Sequence, residues 1–476
     1  MNFIVYDLVF LAAFAIFVSV FLYTRRKNLK REGLLFLYKT SWGINLIEKT
    51  GEKYKKTLGV LSYVSIATGY VLMVVMFYML GKIVYLYITL PAIVREIKIP
   101  PITPLIPYLP QVFKLDFLPP FYFTYWIVII AIVAISHEFA HGIFAAYDKI
   151  KIKSTGFGFF PFFFPVFLAA FVEPDEETMT KKKIHSQLSV LSAGTFANVL
   201  TAILFFGILW VFFISAFSPS GIIFDTYPYT IVNSNTIDSV NGISIMNFSY
   251  ENIIQKMNDD RLNKINSDGK DYLITKKSFE EQKNNANLIV YYDSPAINSN
   301  LERIITNIDG KKITSMDFLG NEISNRKPGD KTVLTVINSD GDSYDLEITL
   351  AENPEDKNKA WLGVGFNQQN NPGFLGKIFL FLSSFKKSHV YYEPKFDGIS
   401  IFIYNLLWWT ALISISVALV NMLPIGIFDG GRFFYLTILG LTKNQKKAEL
   451  SFKISTYLIL FLIFVMMFFW ALSFFN

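Results

Sequence analysis

Six long apolar stretches constrain the fold of this chain more than any other feature of its sequence. A helix of about 20 apolar residues can cross a hydrocarbon core about 30 Å thick. We therefore predict six transmembrane helices, at residues 3–23, 60–90, 122–147, 188–217, 399–422 and 454–475. Hydrophobic residues make up 52% of the chain and charged residues only 17%, which favours a polytopic α-helical membrane protein.

Basic residues are concentrated in the loops after the first and third stretches. Residues 25–27 are Arg-Arg-Lys, and Lys149, Lys151 and Lys153 begin the second of these loops. Cytoplasmic loops carry an excess of Lys and Arg, so we predict cytoplasmic loops at both places and an external N-terminus. The net charge of +6 is then explained by topology, and we expect no nucleic-acid partner.

The motif His137-Glu138-Phe-Ala-His141 lies near the end of the third stretch. Residues four apart in a helix differ by about 40° around the axis, so both histidines can bind one ion while Glu138 lies beside it. The spacing is typical of two zinc ligands and a general base, although the motif also occurs by chance on solvated helices. Ionisable side chains within an apolar helix are costly in lipid, which favours the functional interpretation.

A hydrolytic zinc site needs a third protein ligand and a free position for water. The chain has no cysteine, so this ligand must be an oxygen or an imidazole nitrogen. Asp429 follows the fifth stretch in the sequence Asn421-Met-Leu-Pro424-Ile-Gly-Ile-Phe-Asp429-Gly-Gly, where a carboxylate stands in an apolar setting. An ordinary surface turn at a helix end would look the same.

Residues 156–172 are apolar but interrupted by Gly156, Gly158, Pro161 and Pro165. Basic clusters flank this segment, and a single crossing would place them on opposite sides of the membrane. The segment therefore either dips into the bilayer and returns or lies on its surface, since irregular backbone at depth needs protein or water around it.

Residues 218–369 are polar and rich in Asn and Asp, with turn signals such as Asn241-Gly242 and Asp309-Gly310. We predict an inserted extracytoplasmic, β-rich domain, with a hairpin between residues 332–337 and 344–350. Residues 237–245 are similar to residues 305–313, which suggests one or two copies of a small module.

Together, these motifs resemble the site-2 protease family of intramembrane zinc metalloproteases, in a prokaryotic, archaeal-like form. The resemblance rests on the His137 motif, on Asn421 to Gly430, and on Ser192-Ala-Gly194-Thr-Phe-Ala-Asn198, where Thr195 replaces the proline common in the family. It implies one Zn²⁺ held by His137, His141 and Asp429, with Glu138 catalytic. Residues 287–368 resemble a PDZ module, the clearest copy in the insertion.

The resemblance implies a membrane-embedded endopeptidase that cleaves transmembrane proteins in regulated intramembrane proteolysis, with its active site towards the cytoplasm. We expect Asn198 and Asn421 either to support the substrate carbonyl or oxyanion or simply to hydrogen-bond a neighbouring helix. We expect the PDZ-like module to bind a peptide. An edge that receives the unwound substrate is predicted at Phe159, Phe160, Pro161 and Phe162. A metal transporter and a non-enzymatic scaffold bearing a PDZ module are the alternatives.

The predicted domains follow the membrane topology. Residues 1–121 hold the first helices and loops, 122–217 the first part of the catalytic core, 218–369 the soluble region, and 370–476 the second part of the core with the last helix.

Overall fold

The computed structural model describes residues 3–32, 35–90, 105–113, 115, 118–159, 168–245, 249–259, 261–283, 285–354, 356–367, 377, 380 and 384–472. Its chain divides into two compact units. The membrane unit comprises Met1–Phe212 and Ile401–Asn476, and the inserted unit comprises Phe213–Ser400.

The membrane unit begins with helices and short strands in alternation. In chain order these are α1 (Phe3–Thr24), β1 (Leu29–Glu32), β2 (Leu35–Thr40), α2 (Ile44–Lys53), α3 (Lys55–Thr89), α4 (Leu109–Val112), α5 (Phe123–Tyr147), β3 (Ile152–Phe159), β4 (Leu168–Pro174), α6 (Glu176–Thr180) and α7 (Ile184–Ala216).

The inserted unit is mostly β-structure. It contains β5 (Phe217–Ile223), β6 (Tyr229–Asn233), β7 (Ile237–Val240), β8 (Ile243–Ser244), α8 (Tyr250–Gln255), β9 (Leu262–Ser267), β10 (Lys270–Thr275), α9 (Lys276–Glu281), β11 (Asn287–Tyr292), α10 (Pro295–Asn298), β12 (Ile304–Ile308), β13 (Lys311–Lys312), α11 (Met316–Ser324), β14 (Lys331–Ile337), β15 (Ser343–Thr349), β16 (Ala351–Glu352), β17 (Ala360–Trp361) and β18 (Val390–Pro394). The chain returns to the membrane unit through α12 (Asp397–Asn421), α13 (Asp429–Thr442) and α14 (Gln445–Leu472).

The prediction of six membrane-spanning helices is confirmed. Among the described residues, six helices are long and apolar enough to cross a bilayer, namely α1, α3, α5, α7, α12 and α14. Small residues allow some of them to approach closely, as membrane helices require. The hydroxyls of Ser65 in α3 and Ser192 in α7 lie 2.7 Å apart, and a Cβ on Gly69 would lie 3.1 Å from the Ser192 Cβ.

A buried carboxylate of α1 caps the N-terminus of α5. Asp7 is 1% exposed and accepts hydrogen bonds from the backbone N–H groups of Phe123 at 2.8 Å and Thr124 at 2.9 Å. The Tyr108 hydroxyl donates to the same carboxylate. The first N–H groups of a helix have no partner inside the helix, and the helix dipole favours an anion there. Asp7 therefore ties α1 and residue 108 to the helix that carries the histidine motif.

The described ends of the glycine- and proline-interrupted segment lie side by side, an arrangement that fits both predicted alternatives. Strands β3 and β4 pair antiparallel, and β1 and β2 complete a four-stranded sheet in the order β1-β2-β3-β4. Phe159 lies in β3 and pairs with Phe36 of β2 on one side and Leu168 of β4 on the other. The prediction of a free edge at Phe159 is therefore wrong, because both sides of its backbone are occupied. Phe160, Pro161 and Phe162 lie outside the described residues.

The inserted unit is longer than the predicted residues 218–369. Strand β18, which lies beyond residue 369, pairs antiparallel with β5 at the start of the insertion. The two ends of the insertion thus meet in one sheet, of order β15-β14-β12-β5-β18, which no local sequence signal reveals. The predicted hairpin is confirmed, since β14 and β15 pair along their whole length.

The inserted unit also contains a structural repeat, in what we call the first module (residues 229–292) and the second module (residues 294–364). In each, a strand–turn–strand unit is followed by a helix and a hairpin, and β7 pairs with β8 and β9 as β12 pairs with β13 and β14. Strand β11 belongs to the first module, since it pairs with β6 and β10. Side-chain oxygens repeat too: Asn241 accepts from the N–H of Lys264 at 3.0 Å, and Asp309 accepts from that of Val333 at 2.7 Å. Whether both repeats are PDZ modules stays a prediction.

Candidate metal centre

Two imidazoles of α5 meet on one face of the helix, as the spacing of the motif predicts. His137 and His141 are 8% and 9% exposed, and their Nε2 atoms lie 3.0 Å apart. Both side chains are almost completely buried. Two nitrogen atoms that approach so closely are placed to bind the same metal ion.

The third donor comes from the far end of the sequence. Helix α12 ends at Asn421, and α13 begins at Asp429, whose Oδ2 lies 3.2 Å from the Nε2 atoms of both histidines. Gly430 makes this approach possible. A Cβ on Gly430 would lie 2.6 Å from the carbonyl oxygens of Met422 and Leu423, so only glycine lets α13 begin against the preceding turn.

The donor set fits a zinc ion. In a tetrahedral site with bonds of about 2.0–2.1 Å, two donors lie roughly 3.3 to 3.4 Å apart. The three observed separations of 3.0, 3.2 and 3.2 Å are within a few tenths of an ångström of that value. Two imidazoles and one carboxylate also match the three-ligand sets that leave a coordination position open. Within the described residues, this is the one group of three such side chains that could hold a metal.

Helix α7 orients both imidazoles through their other nitrogen atoms. His141 Nδ1 donates to the carbonyl oxygen of Val190 at 2.6 Å, which leaves Nε2 as the metal-binding atom. The amide nitrogen Nδ2 of Asn198, which is fully buried, lies 3.1 Å from His137 Nδ1. If this amide turned by a half-turn, its oxygen would accept from Nδ1–H and leave Nε2 for a metal. Such partners set the tautomer and direction of a ligand histidine.

Gly194 lies between these two contacts on α7, four residues from each. A Cβ at this position would come within 2.6 Å of His137 Nε2 and closer still to His141 Nε2. The bare backbone of Gly194 therefore forms one wall of the centre. The groups packed against Gly194 are the imidazoles of His137 and His141.

Glu138 faces the sheet. Its Oε2 accepts a hydrogen bond of 2.8 Å from the backbone N–H of Val172 in β4. Val172 pairs with Thr155 of β3 on its other side. The candidate general base thus lies where the outer edge of the sheet meets the helix that carries the two ligand histidines.

Comparison with known proteins agrees with this geometry. The model of peptidase family M50 matches residues 124–465, which include every residue of the centre. The chain belongs to peptidase family M50. An uncharacterized protein of Methanocaldococcus jannaschii is 33% identical over 199 residues, which are 39% of this chain and 47% of that protein. The chain thus matches about half the length of this curated relative.

M50 proteins are membrane metalloproteases of the site-2 protease type, so the resemblance noted in the sequence is confirmed. Of the predicted residues, the structure brings together His137, His141 and Asp429, with Glu138 adjacent in sequence. Asn198 lies on the Nδ1 edge of His137, so its observed contact is with a residue of a neighbouring helix, which is one of the two alternatives predicted for it. Support of a substrate carbonyl by Asn198 or Asn421 stays a prediction.

Sequence reasoning missed the contribution of Val190. The group that acts there is a backbone carbonyl, which every residue carries, so no side-chain pattern could have revealed it.

Proposed function

We propose that this protein is an intramembrane zinc endopeptidase that cleaves transmembrane proteins. The observation that carries the proposal is the convergence of two imidazole nitrogens and one carboxylate oxygen within 3.2 Å of one another, with Glu138 next in sequence to a ligand. A pure metal-storage site has no need of an extra carboxylate beside the ligands, whereas peptide hydrolysis needs a group that moves protons.

When bound, a zinc ion supplies Lewis-acid chemistry that makes water nucleophilic near neutral pH. The chain supplies the rest. The Val190 carbonyl keeps His141 in the ligating tautomer, and Asn198 would do the same for His137 with its amide oxygen turned towards Nδ1. Glu138, anchored by one oxygen to the N–H of Val172, has its second oxygen available to take a proton from the attacking water and return it to the leaving amine.

The outer edge of β4 is our candidate for binding the unwound substrate. The N–H of Val172 points away from β3, towards Glu138. Because backbone groups alternate sides along a strand, those of Ala170 and Leu168 point the same way. A substrate strand added there would satisfy its own N–H and C=O groups and run past Glu138. This edge replaces the one predicted at Phe159.

A transmembrane helix hides its carbonyls in internal hydrogen bonds, so the substrate must unwind before attack. Strand addition offers replacement partners for those groups. Regulated intramembrane proteolysis is the process in which an enzyme with this architecture would act, and we place the metal centre towards the cytoplasm and the inserted unit outside, following the basic loops.

We further propose that the second module is PDZ-like and binds a peptide. Two segments that resemble a PDZ module pack closely together: the φ of Gly363 is 81°, and a Cβ there would lie 2.5 Å from the Ser294 hydroxyl oxygen. Fluorescence polarisation with labelled peptides that end in a free or an amidated carboxyl group tests this. Equal absence of binding by both would end the proposal.

The protease proposal is tested with purified protein, a single-span membrane substrate and bound zinc. Glu138→Gln should retain zinc and lose cleavage by at least about 100-fold, as expected for removal of a general base. Glu52→Gln, a matched change on an exposed helix, should cleave like the wild type. Chelation should abolish cleavage, and zinc should restore it. Zinc transport into vesicles that survives Glu138→Gln, without any cleavage, would instead favour a metal transporter.

The proposed orientation is tested separately. The chain has no cysteine, so single cysteines report without background. Lys181→Cys should react with an impermeant maleimide only in inside-out vesicles, and Asp340→Cys only in intact cells. The reverse pattern would invert the topology.

A further inference from the structure

An elongated apolar cavity lies beside α12 in the membrane unit. One wall is a stripe of α12 that includes Trp409, Ile413, Val417 and Asn421, spaced by four residues. The opposite wall comes from residues 105–121, where the Trp409 indole N–H donates to the Pro120 carbonyl at 3.2 Å. The cavity measures about 500 Å³, within the usual range of about 300–1,000 Å³ for ligand pockets.

The cavity extends along α12. Twelve residues of helix separate Trp409 from Asn421, which corresponds to roughly 18 Å. A helix segment 18 Å long and about 10–12 Å across would need roughly 1,400–2,000 Å³. The cavity volume of about 500 Å³ is well below that, so a substrate helix does not fit inside it.

An extended peptide does not suit the cavity either. Among the lining side chains, Ser416 and Asn421 carry the hydrogen-bonding groups that are not aromatic, and the Ser416 hydroxyl already donates to the Leu412 carbonyl at 2.8 Å. A strand would leave N–H and C=O groups unpaired along about 18 Å of apolar wall, at a cost of more than 1 kcal/mol for each. A hydrocarbon chain has no such groups and suits these walls.

We propose that the cavity holds one acyl chain of a membrane phospholipid. Its occupant would pack along α12 from Trp409 to Asn421 and against Phe428, the residue before the ligand Asp429. The bilayer supplies such chains at high local concentration. The bound lipid would support the turn that presents Asp429, through its contact with Phe428. This inference does not depend on proteolysis.

Two measurements on the full-length protein, without substrate, test the proposal. In native mass spectrometry after extensive detergent exchange, the wild type should retain about one phospholipid per chain, and Val417→Phe, which fills the cavity, should reduce that fraction at least tenfold. Val211→Phe is the matched control, because Val211 is 62% exposed on α7. It should retain lipid like the wild type.

The second measurement needs no filling of the cavity. In bilayers of phosphatidylcholine with dibrominated acyl chains, the fluorescence of Trp409 should be quenched. The difference in quenched fluorescence between the wild type and Trp409→Phe measures the part that comes from Trp409. Equal lipid retention by folded Val417→Phe and the wild type, or a Trp409 signal that brominated chains do not quench, would overturn the proposal. So would restoration of Trp409 fluorescence by substrate at a one-to-one ratio, which would make the cavity a peptide site. None of these measurements involves cleavage, so their results do not bear on the protease proposal.

Discussion

Replacing Gly194 by alanine tests whether the close approach of α7 shapes the metal centre. The new Cβ would lie 2.5 Å from His137 Cε1 and 2.6 Å from its Nε2. Ordinary carbon contacts begin near about 3.5 Å, so an imidazole or the helix must move by about 1 Å. Metal-ligand distances hold to within about 0.2 Å, so a shift of that size removes at least one ligand from its bonding position.

We expect zinc affinity to fall about 100-fold or more, which corresponds to about 2.7 kcal/mol. The fold itself should not suffer to the same degree, because alanine favours a helix over glycine by about 1 kcal/mol. Competition with a fluorescent zinc chelator measures the affinity, and thermal unfolding of the zinc-free protein in detergent measures the stability.

Gly207→Ala is the control for this experiment. Gly207 lies on the same helix, and a Cβ there would have nothing within 4 Å. It should bind zinc like the wild type. If Gly194→Ala binds zinc within about twofold of Gly207→Ala, the contact between Gly194 and the ligands does not control the site, and the geometric argument fails.

Three further predictions concern other buried or paired polar groups. Asn198→Leu removes the amide beside His137 Nδ1 and should lower zinc affinity about 10- to 100-fold in the same chelator assay. Asn198→Gln should bind zinc more nearly like the wild type. Equal zinc affinities of Asn198→Leu and the wild type would refute an orienting role. Asp7→Ala removes the hydrogen bonds that cap the N-terminus of α5, and it should destabilise the protein by about 1–2 kcal/mol in thermal unfolding, more than Asp7→Asn does. An unfolding temperature equal to that of the wild type would count against the cap. Burial alone would raise the pKa of Asp309, but hydrogen bonds from the Val333 N–H and the Arg326 guanidinium outweigh it and lower that pKa. The ionised form of Asp309 therefore stabilises the second module at pH values above the unfolded pKa of about 3.9, and this stabilisation is lost as the pH falls further. Backbone hydrogen exchange at β14 should therefore be faster in Asp309→Asn than in the wild type at pH 7. The difference between the two proteins should shrink below about pH 4. A difference that grows on acidification would contradict the sign.

Much of the candidate site was open to prediction because its chemistry is local. The pair His137 and His141 needs only the helical period to share a face, and the observed Nε2 separation of 3.0 Å agrees. Asp429 is 288 residues further along from His141; its apolar setting at a helix end made it a candidate, and the family resemblance linked it to the histidines. The fold of the centre then depends on Gly430, whose missing side chain lets α13 begin against Met422.

Other features depend on contacts between distant segments and could not be predicted. Strand β2 pairs with β3, so Phe159 has no free edge, although its own segment looks like an edge in isolation. Strand β18 pairs with β5 and moves the boundary of the inserted unit to Ser400. Backbone hydrogen bonds cause both results, and every residue can make them, so the side-chain pattern does not say which strands will pair.

By itself, the sequence determined the number of membrane helices, the presence of an inserted β-rich unit and the pair of histidines on one helix face. Apolar length, turn chemistry and helical spacing act over a few residues, and therefore they are visible in one dimension. Only the tertiary structure decided which nitrogen of each histidine faces Asp429, which strand edge meets Glu138 and why position 194 must be glycine. Each of these is set by where a backbone from another part of the chain comes to lie, and that position is a property of the packed molecule.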